Sequence, residues 1–498
     1  MRIVLYALRI VDMERASHYL PKIFIRIFIV NLFFWTCAAV ASPENNLRIR
    51  LNRLVKRSTV KSRHGVYARW LGGKGIYRWR SKTPMQPASC IKILSTGTAL
   101  REMGRSFRFE TSFYGKYKGN IMTTPLFWKG SGDPSFSVDD LRSVVLKLKR
   151  LGIQSIPGGI TIDNYAFSRR RTTGFEWKHG TEGYLTAPNA VSVEGNSVGI
   201  DIFLKDGKPT VECQVKSPFL KCINKLKTGK KTKKVRAYSR LQDKYLEVVV
   251  LGRVGKNHKK KIHERVRTFK PEMFTAGVLI QLLKDNGIKV PDQFRRGKVP
   301  KDTPLLAVHK SKPLFELVKS TNKFSNNFWA ENILRALGRY KSGKAGSTWL
   351  GLKRVRSMMT RSGIKSSRYV ISNGSGLFGK SSISPYSLVS VLQRYSTLSW
   401  LHRDIVDSMA RPGRDGTLHS RLTTSLTWDI LYAKTGTLRT ASCLSGYLIH
   451  KNRTIIFSVM NDKLKDSARH ARKFQDEVVK TLAKLIKGLK ISTKPPVI

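Results

Sequence analysis

The sequence predicts an α/β protein in which sheet and helix text at the two ends of the chain is split by a mainly β middle. Three observations predict it. From about Phe107 to Val254 the chain is dense in β-branched and aromatic residues between Gly, Pro and Asp turns. Helical periodicity precedes this stretch and returns after it, over 270–290 and 312–338. The chain then closes as strand, strand, helix. A length of 498 residues suggests two or three domains. A mainly β middle of one or two subdomains, 107–299, is expected to split the chain between 42–106 and 300–498.

The first element is a leader. Lys22 and Arg26 precede an apolar run from Ile27 to Val40, and Ala39-Val40-Ala41 stands before Ser42. Basic, apolar and small residues in that order are the pattern of a secretory signal peptide over residues 1–41. The run is short for a membrane span, which needs about 20 apolar residues. An uncleaved anchor is the alternative, and Met13 is an alternative start. In either case the body of the protein is exported, to the periplasm or the outer face of the membrane.

From Asn46 to Arg80 the text alternates loosely, and "GVYARWL" and "GIYRW" read as paired strands around Gly72-Gly73. Pro87 then introduces a helix from Ser89 to Met103, stopped by Gly104. In the middle, "FRFETSFYGKY", "GGITIDNYAF", "SVGIDIFLK", "TVECQV" and "YLEVVVLGRV" read as strands. At the end, "ASCLSGYLIH" and "RTIIFSVMND" form a hairpin turned at Lys451-Asn452. The final helix places Phe474, Val478, Leu482 and Leu485 on one face, which suits packing on a sheet better than on a membrane.

Charge narrows the partners. Ninety-three Lys and Arg against 32 Asp and Glu give a formal net charge of +61. Such a chain adheres to polyanions. Export argues against nucleic acid and leaves acidic envelope polymers and anionic lipid head groups. Two basic runs, Lys225 to Arg236 and Lys256 to Arg267, are expected as solvated faces or loops. Cys37 leaves with the leader, and four cysteines remain, too few for a disulfide scaffold. Cys213 and Cys222 flank Ser217-Pro218, so a hairpin disulfide and two free thiols both stand open. His258 and His263 sit among lysines with only Glu264 as a nearby carboxylate; no metal site is expected.

Three short motifs carry chemistry. Ser89-Cys90-Ile91-Lys92 is an S-x-x-K, which on a helix sets the amine beside the hydroxyl. Serine is a poor nucleophile without a base. Lysine can be that base once burial or a neighbouring cation loosens its proton. Ser325-Asn326-Asn327 is an S-x-N between helical segments. Lys434-Thr435-Gly436-Thr437 precedes the hairpin; on a strand it can lie along an extended substrate. Gly436 permits close approach, and the cation and hydroxyls suit a carboxylate.

In this order the three are the penicillin-binding and serine β-lactamase signature. "PASCIKILSTGTAL" resembles the opening of the class C low-molecular-mass penicillin-binding proteins, the D-alanyl-D-alanine carboxypeptidase/endopeptidase family. "GSGDPSF", "APNAVSVEGNSV", "NGSGL" and "GRDGTL" are similar to that family too. Ser325 follows Ser89 by 236 residues, an interval that resembles the family's interrupted catalytic domain. Cys90, Asn326 and Asn373 depart from the family's usual Thr, Asp and Asp.

The resemblance implies a β-lactamase/transpeptidase-like fold with a five-stranded antiparallel sheet, in which 42–106 and 300–498 join into one discontinuous unit. It implies peptidoglycan as substrate, β-lactams as covalent inhibitors, and no cofactor or metal. By the same match Ser89 is the nucleophile, Lys92 its base, and Ser325 passes a proton to the leaving amine. Asn327 binds substrate, and Lys434, Thr435, Gly436 and Thr437 hold its carboxylate end. A catalytically silent peptidoglycan-binding protein and a serine β-lactamase are the alternatives on this fold. The intact motifs argue against the first. The long first interval and the lack of an E-x-x-L-N argue against the second.

Overall fold

The computed structural model describes residues 42–170, 172, 175 and 180–493. The leader expected over 1–41 lies outside the described residues. The chain opens with helix α1, Pro43–Lys56. Ser42 caps it by accepting the Asn45 N–H at 3.3 Å, and Pro43 needs no partner in the first turn. The loose alternation expected here is therefore a helix. Leu47, Leu51, Leu54 and Val55 recur at helical spacing and are its buried face. Strands β1, Arg63–Trp70, and β2, Gly75–Trp79, pair antiparallel as expected. A 3-10 turn, Ala88–Cys90, leads into α2, Ile91–Met103, which Gly104 ends at φ 86°.

The middle opens with β3, Glu110–Tyr114, and β4, Leu126–Gly130. It then includes a helix not expected there, α3, Val138–Arg150, closed by a Ser137–Asp140 capping box. Strands β5 (Ile160–Asp163), β6 (Ser197–Lys205), β7 (Lys208–Cys213), β8 (Leu220–Gly229), β9 (Lys233–Leu241), β10 (Leu246–Gly255) and β11 (Ile262–Arg267) follow. Then come α4, Pro271–Asp285, β12, Phe294–Arg296, and β13, Leu305–Lys310. They build a five-stranded sheet, β12-β5-β4-β3-β13, and two three-stranded sheets, β8-β10-β9 and β11-β6-β7. These strands, α3 and α4 share one hydrophobic core that runs from Phe113 to Ala307. The first basic run forms β8 and β9 on either side of β10, and its exposed basic side chains make the solvated face expected of it. Cys213 and Cys222 are bonded, joining β7 to β8. His263 faces Asp201 across the β6–β11 ladder at 2.7 Å, a carboxylate far from it in sequence.

The chain returns through helices α5 (Leu314–Lys323), α6 (Asn327–Arg339), α7 (Thr348–Arg361), α8 (Pro385–Tyr395) and α9 (Ser399–Ser408). Three of these, α7 to α9, lie in text that gave no clear helical expectation. Strands β14 (Leu431–Leu438), β15 (Ala441–His450) and β16 (Arg453–Asp462) complete the main sheet, β14-β15-β16-β1-β2, antiparallel throughout. The expected five-stranded sheet is thus made from both ends of the chain. Side chains alternate across it. Cys443 and Tyr447 of β15 enter the core built on α2 and α6 to α9. Leu444 and Leu448 enter the core of α1 and α10, Ala468–Ile486. Phe474, Val478, Leu482 and Leu485 of α10 are buried there, against the sheet. Among the described residues no helix is long and apolar enough to cross a membrane.

Candidate active site

Ser89 sits in the tight turn before α2, and two glycines press on that turn. Gly436 of β14 lies against it so closely that a Cβ there would stand 2.9 Å from Ser89 N and 2.8 Å from Pro87 O. Gly376, at φ +75°, lies against Ala88; a Cβ there would stand 1.9 Å from the Ala88 carbonyl oxygen. Any side chain at either position would displace the backbone of Ser89. The sequence points to a close approach of substrate at Gly436; what the glycine admits here is the turn that bears Ser89, and Gly376 of the "NGSGL" segment shares that task. Asn373 shapes that segment: its Oδ1 accepts the Gly376 N–H at 2.8 Å, and its Nδ2 donates to the Leu377 carbonyl at 2.8 Å.

Lys92 is fully buried one turn after Ser89. Its Nζ lies 3.0 Å from Ser89 Oγ, 2.7 Å from Asn327 Oδ1 and 2.8 Å from the Ser375 carbonyl oxygen. Burial pushes its pKa well below the usual lysine range, and the nearby Lys434 cation pushes the same way. A neutral amine has two hydrogens and one lone pair. Asn327 and Ser375 can take the two hydrogens, which leaves the lone pair for the Ser89 hydroxyl. Behind this group lies Glu331, buried on α6, whose Oε1 accepts the Ser375 N–H at 2.7 Å. Burial raises its pKa.

The second motif joins α5 to α6. Ser325 has φ 58°, a left-handed conformation unusual for serine. Asn326 starts α6 by accepting the Trp329 N–H at 3.1 Å, so its amide does the capping work there. Ser325 Oγ accepts from Lys434 Nζ at 2.9 Å, and the same ammonium donates to the Thr435 carbonyl at 2.7 Å. Lys434 is fully buried, and burial pushes its pKa down to about 8. Cys90, free and buried beside Cys443, donates its thiol to the Lys434 carbonyl at 3.3 Å.

Ser89, Lys92 and Asn327 thus form one hydrogen-bonded group, and Ser325 with Lys434 another. Gly436 brings them together. Thr435 and Thr437 alternate to the other side of β14. Thr435 Oγ1 donates to Thr417 Oγ1 at 2.7 Å, and Thr437 Oγ1 accepts from Arg472 at 3.4 Å. An ion pair between Lys323 and Asp415 anchors the "GRDGTL" segment that carries Thr417. Ser375, Glu331, Asn373, Thr417 and Arg472 were not expected in the site. Two of their segments had been noted for resemblance alone, and Glu331 lies one helical turn after Asn327, on its face.

Known proteins resemble this chain along most of its length. The model of the D-Ala-D-Ala carboxypeptidase 3 (S13) family matches residues 48–485. A D-alanyl-D-alanine carboxypeptidase of Actinomadura sp. is 24% identical over 424 residues, covering 78% of this chain and 76% of its own. The carboxypeptidase DacB of Haemophilus influenzae is 24% identical over 392 residues, covering 75% and 79%. Penicillin binding protein 4 of Haemophilus influenzae shares the fold, with a TM-score of 0.75 at 22% identity over 87% of this chain and 99% of that one. The same protein has also been solved in complex with a β-lactam. The chain belongs to the D-Ala-D-Ala carboxypeptidase 3 (S13) family, and it is a serine-type hydrolase of peptide bonds.

Proposed function

We propose that the enzyme removes terminal D-alanine from peptidoglycan stem peptides, and also cuts D-alanyl cross-links, through an acyl-enzyme on Ser89. The observation that carries this is Lys92, buried, depressed in pKa and 3.0 Å from the Ser89 hydroxyl. Lys92 takes the hydroxyl proton as Ser89 Oγ attacks the carbonyl of the penultimate D-alanine. The backbone N–H groups of Ser89 and Thr437 receive the oxyanion, each worth about 3–4 kcal/mol. Ser325, supplied by Lys434, passes a proton to the leaving amine as the peptide bond breaks. Asn327 holds the substrate peptide. Lys434, Thr435 and Thr437 hold the carboxylate beside the leaving amine, and Gly436 leaves room for the chain. Water then adds to the ester and frees Ser89.

The same proposal divides the chain into a catalytic part, 42–106 with 300–498, and an insertion, 107–299. Two large cores support it in outline, although Phe109, Phe167 and Ala190 join the first and Ala307 of β13 joins the second. It places the protein outside the cytoplasm, with β-lactams as covalent inhibitors. The net charge of +61 supports adhesion to anionic envelope material. Retention on isolated envelopes should fall steeply as salt screens exposed charges; retention unchanged by salt would refute that part.

Intact-mass spectrometry after penicillin treatment, followed by peptide mapping, tests the chemistry. The adduct is expected on Ser89; an adduct elsewhere overturns the mechanism. Purified cross-linked dimers should yield monomers. If the enzyme trims only free termini, the cross-link half of the proposal fails.

A further inference from the structure

A cavity of about 450 Å3 opens at the two threonines of β14, and its other lining residues take no part in the chemistry above. Thr435 and Thr437 line one wall, and α10 lines the other. Its charge is unbalanced. Asp476 is the one carboxylate among the lining residues, and Arg421 occupies it at 2.7 Å. Arg469, Arg472 and Lys473 also line the cavity, and among the described residues they have no ion-pair partner. They recur at three- and four-residue spacing, so they share one face of α10. That face is the opposite of the one bearing Phe474 and Val478, which packs on the sheet. Arg472 reaches β14 itself, with its guanidinium 3.4 Å from Thr437 Oγ1.

The position of these cations fixes what they can meet. In the proposed chemistry, Thr435 and Thr437 hold the carboxylate next to the leaving amine. What lies beyond them belongs to the leaving group. A terminal D-alanine offers one carboxylate and a methyl group, which the threonine site already satisfies. A cross-linked strand leaves as a whole second peptide, which carries further free carboxylates. A cavity this size, edged by three unpartnered cations, suits that larger and more acidic group. Guanidinium is also the side chain best matched to a carboxylate's two oxygens.

We infer that Arg472, with Arg469 and Lys473, forms an anion subsite on the leaving-group side that takes a second carboxylate carried by a peptide leaving group. This rests on the carboxylate placement at Thr435 and Thr437 under the proposed function. It assigns the subsite to the leaving strand, where it favours acidic peptides over a bare D-alanine.

The test uses three acyl-D-Ala-X peptides with X as D-alanine, D-glutamine or D-glutamate. D-Gln and D-Glu match in size and differ by one carboxylate. The full-length enzyme should prefer D-Glu to D-Gln by about two- to fivefold in kcat/KM, mostly through KM, and the preference should shrink with salt. In Arg472→Ala that ratio should fall to about one, whereas Arg472→Lys should keep part of it. A wild-type enzyme indifferent between D-Glu and D-Gln overturns the subsite. So does an Arg472→Ala loss shared equally by all three peptides. Binding of the same peptides to Ser89→Ala, read by calorimetry, separates this inference from the chemistry beneath it. A D-Glu preference in binding without turnover by the wild type upholds the subsite and sinks the proposed reaction. Equal binding of D-Glu and D-Gln peptides sinks the subsite whatever the turnover.

Discussion

The molecule sets a serine hydroxyl against a lysine amine in two places and treats the two pairs differently. At the mouth of α2, Lys92 is enclosed by Ser89, Asn327 and the Ser375 carbonyl, with a buried carboxylate one residue behind. On β14, Lys434 is held by Ser325 and its own neighbour's carbonyl. Both amines are fully buried. Burial depresses both, and the charge of Lys434 lowers Lys92 as well. Under the proposed mechanism, identical side chains serve as a base and a cation in these two settings. Two ammonium groups in one buried site disfavour one another, so the charge on Lys434 favours a neutral Lys92.

The largest effect that would break this contrast is at Ser89. Ser89→Ala should abolish both penicillin labelling and peptide cleavage; a variant that still turns over would show that the pairs had been assigned the wrong way round. Lys92→Ala should slow acylation by about a hundred- to ten-thousand-fold, since the base is lost while the oxyanion donors remain. Stopped-flow labelling measures it.

The pH profile should separate the two amines. Lys92 must be neutral, so the rate falls on the acid side as pH drops through its lowered pKa. Lys434 must be charged, so the rate on carboxylate-bearing substrates falls as pH rises past about 8, by about tenfold for each further unit. A profile still climbing well above that pH would contradict the cationic role of Lys434.

Glu331→Gln sharpens the comparison from behind. The Glu331 charge supports protonation of Lys92, so its removal should move the acid limb of β-lactam acylation to lower pH. The rate loss should be smaller than in Lys92→Ala, because glutamine can still accept the Ser375 N–H. An unmoved limb would mean that Glu331 already holds a proton. The smallest effect on either pair is expected from opening the Cys213–Cys222 loop. The double change to serine should cost roughly 2–3 kcal/mol of stability at most, read by thermal melting, and leave acylation untouched.

Much of the site was legible because it is written in short stretches. Ser89 and Lys92 are one helical turn apart, and Lys434 to Thr437 are consecutive. The hairpin of β15 and β16 was legible from its alternation and its Lys451-Asn452 turn. The partners of Lys92 were not. Ser375 contributes a backbone carbonyl, which every residue has, so its type gives no signal. Glu331 reads as an ordinary helical glutamate until α6 packs against the 373–377 turn. Helix α1 was masked by its arginines and asparagines, although Leu47, Leu51, Leu54 and Val55 carried the period. The strand character of β8 and β9 is masked by their charge, although Leu226, Val235 and Ala237 mark inward positions.

Those two strands also bear on how copies of the protein meet. They are the outer members of a three-stranded sheet, and the outer flank of such a sheet has backbone N–H and C=O groups open to another chain. Here that flank carries exposed lysines, among them Lys221, Lys225, Lys227 and Lys233. A second copy docking edge to edge would bring ammonium groups into cross-strand register, where like charges repel. Like-charge repulsion of this kind disfavours growth of the sheet by self-addition, whether or not a partner is bound.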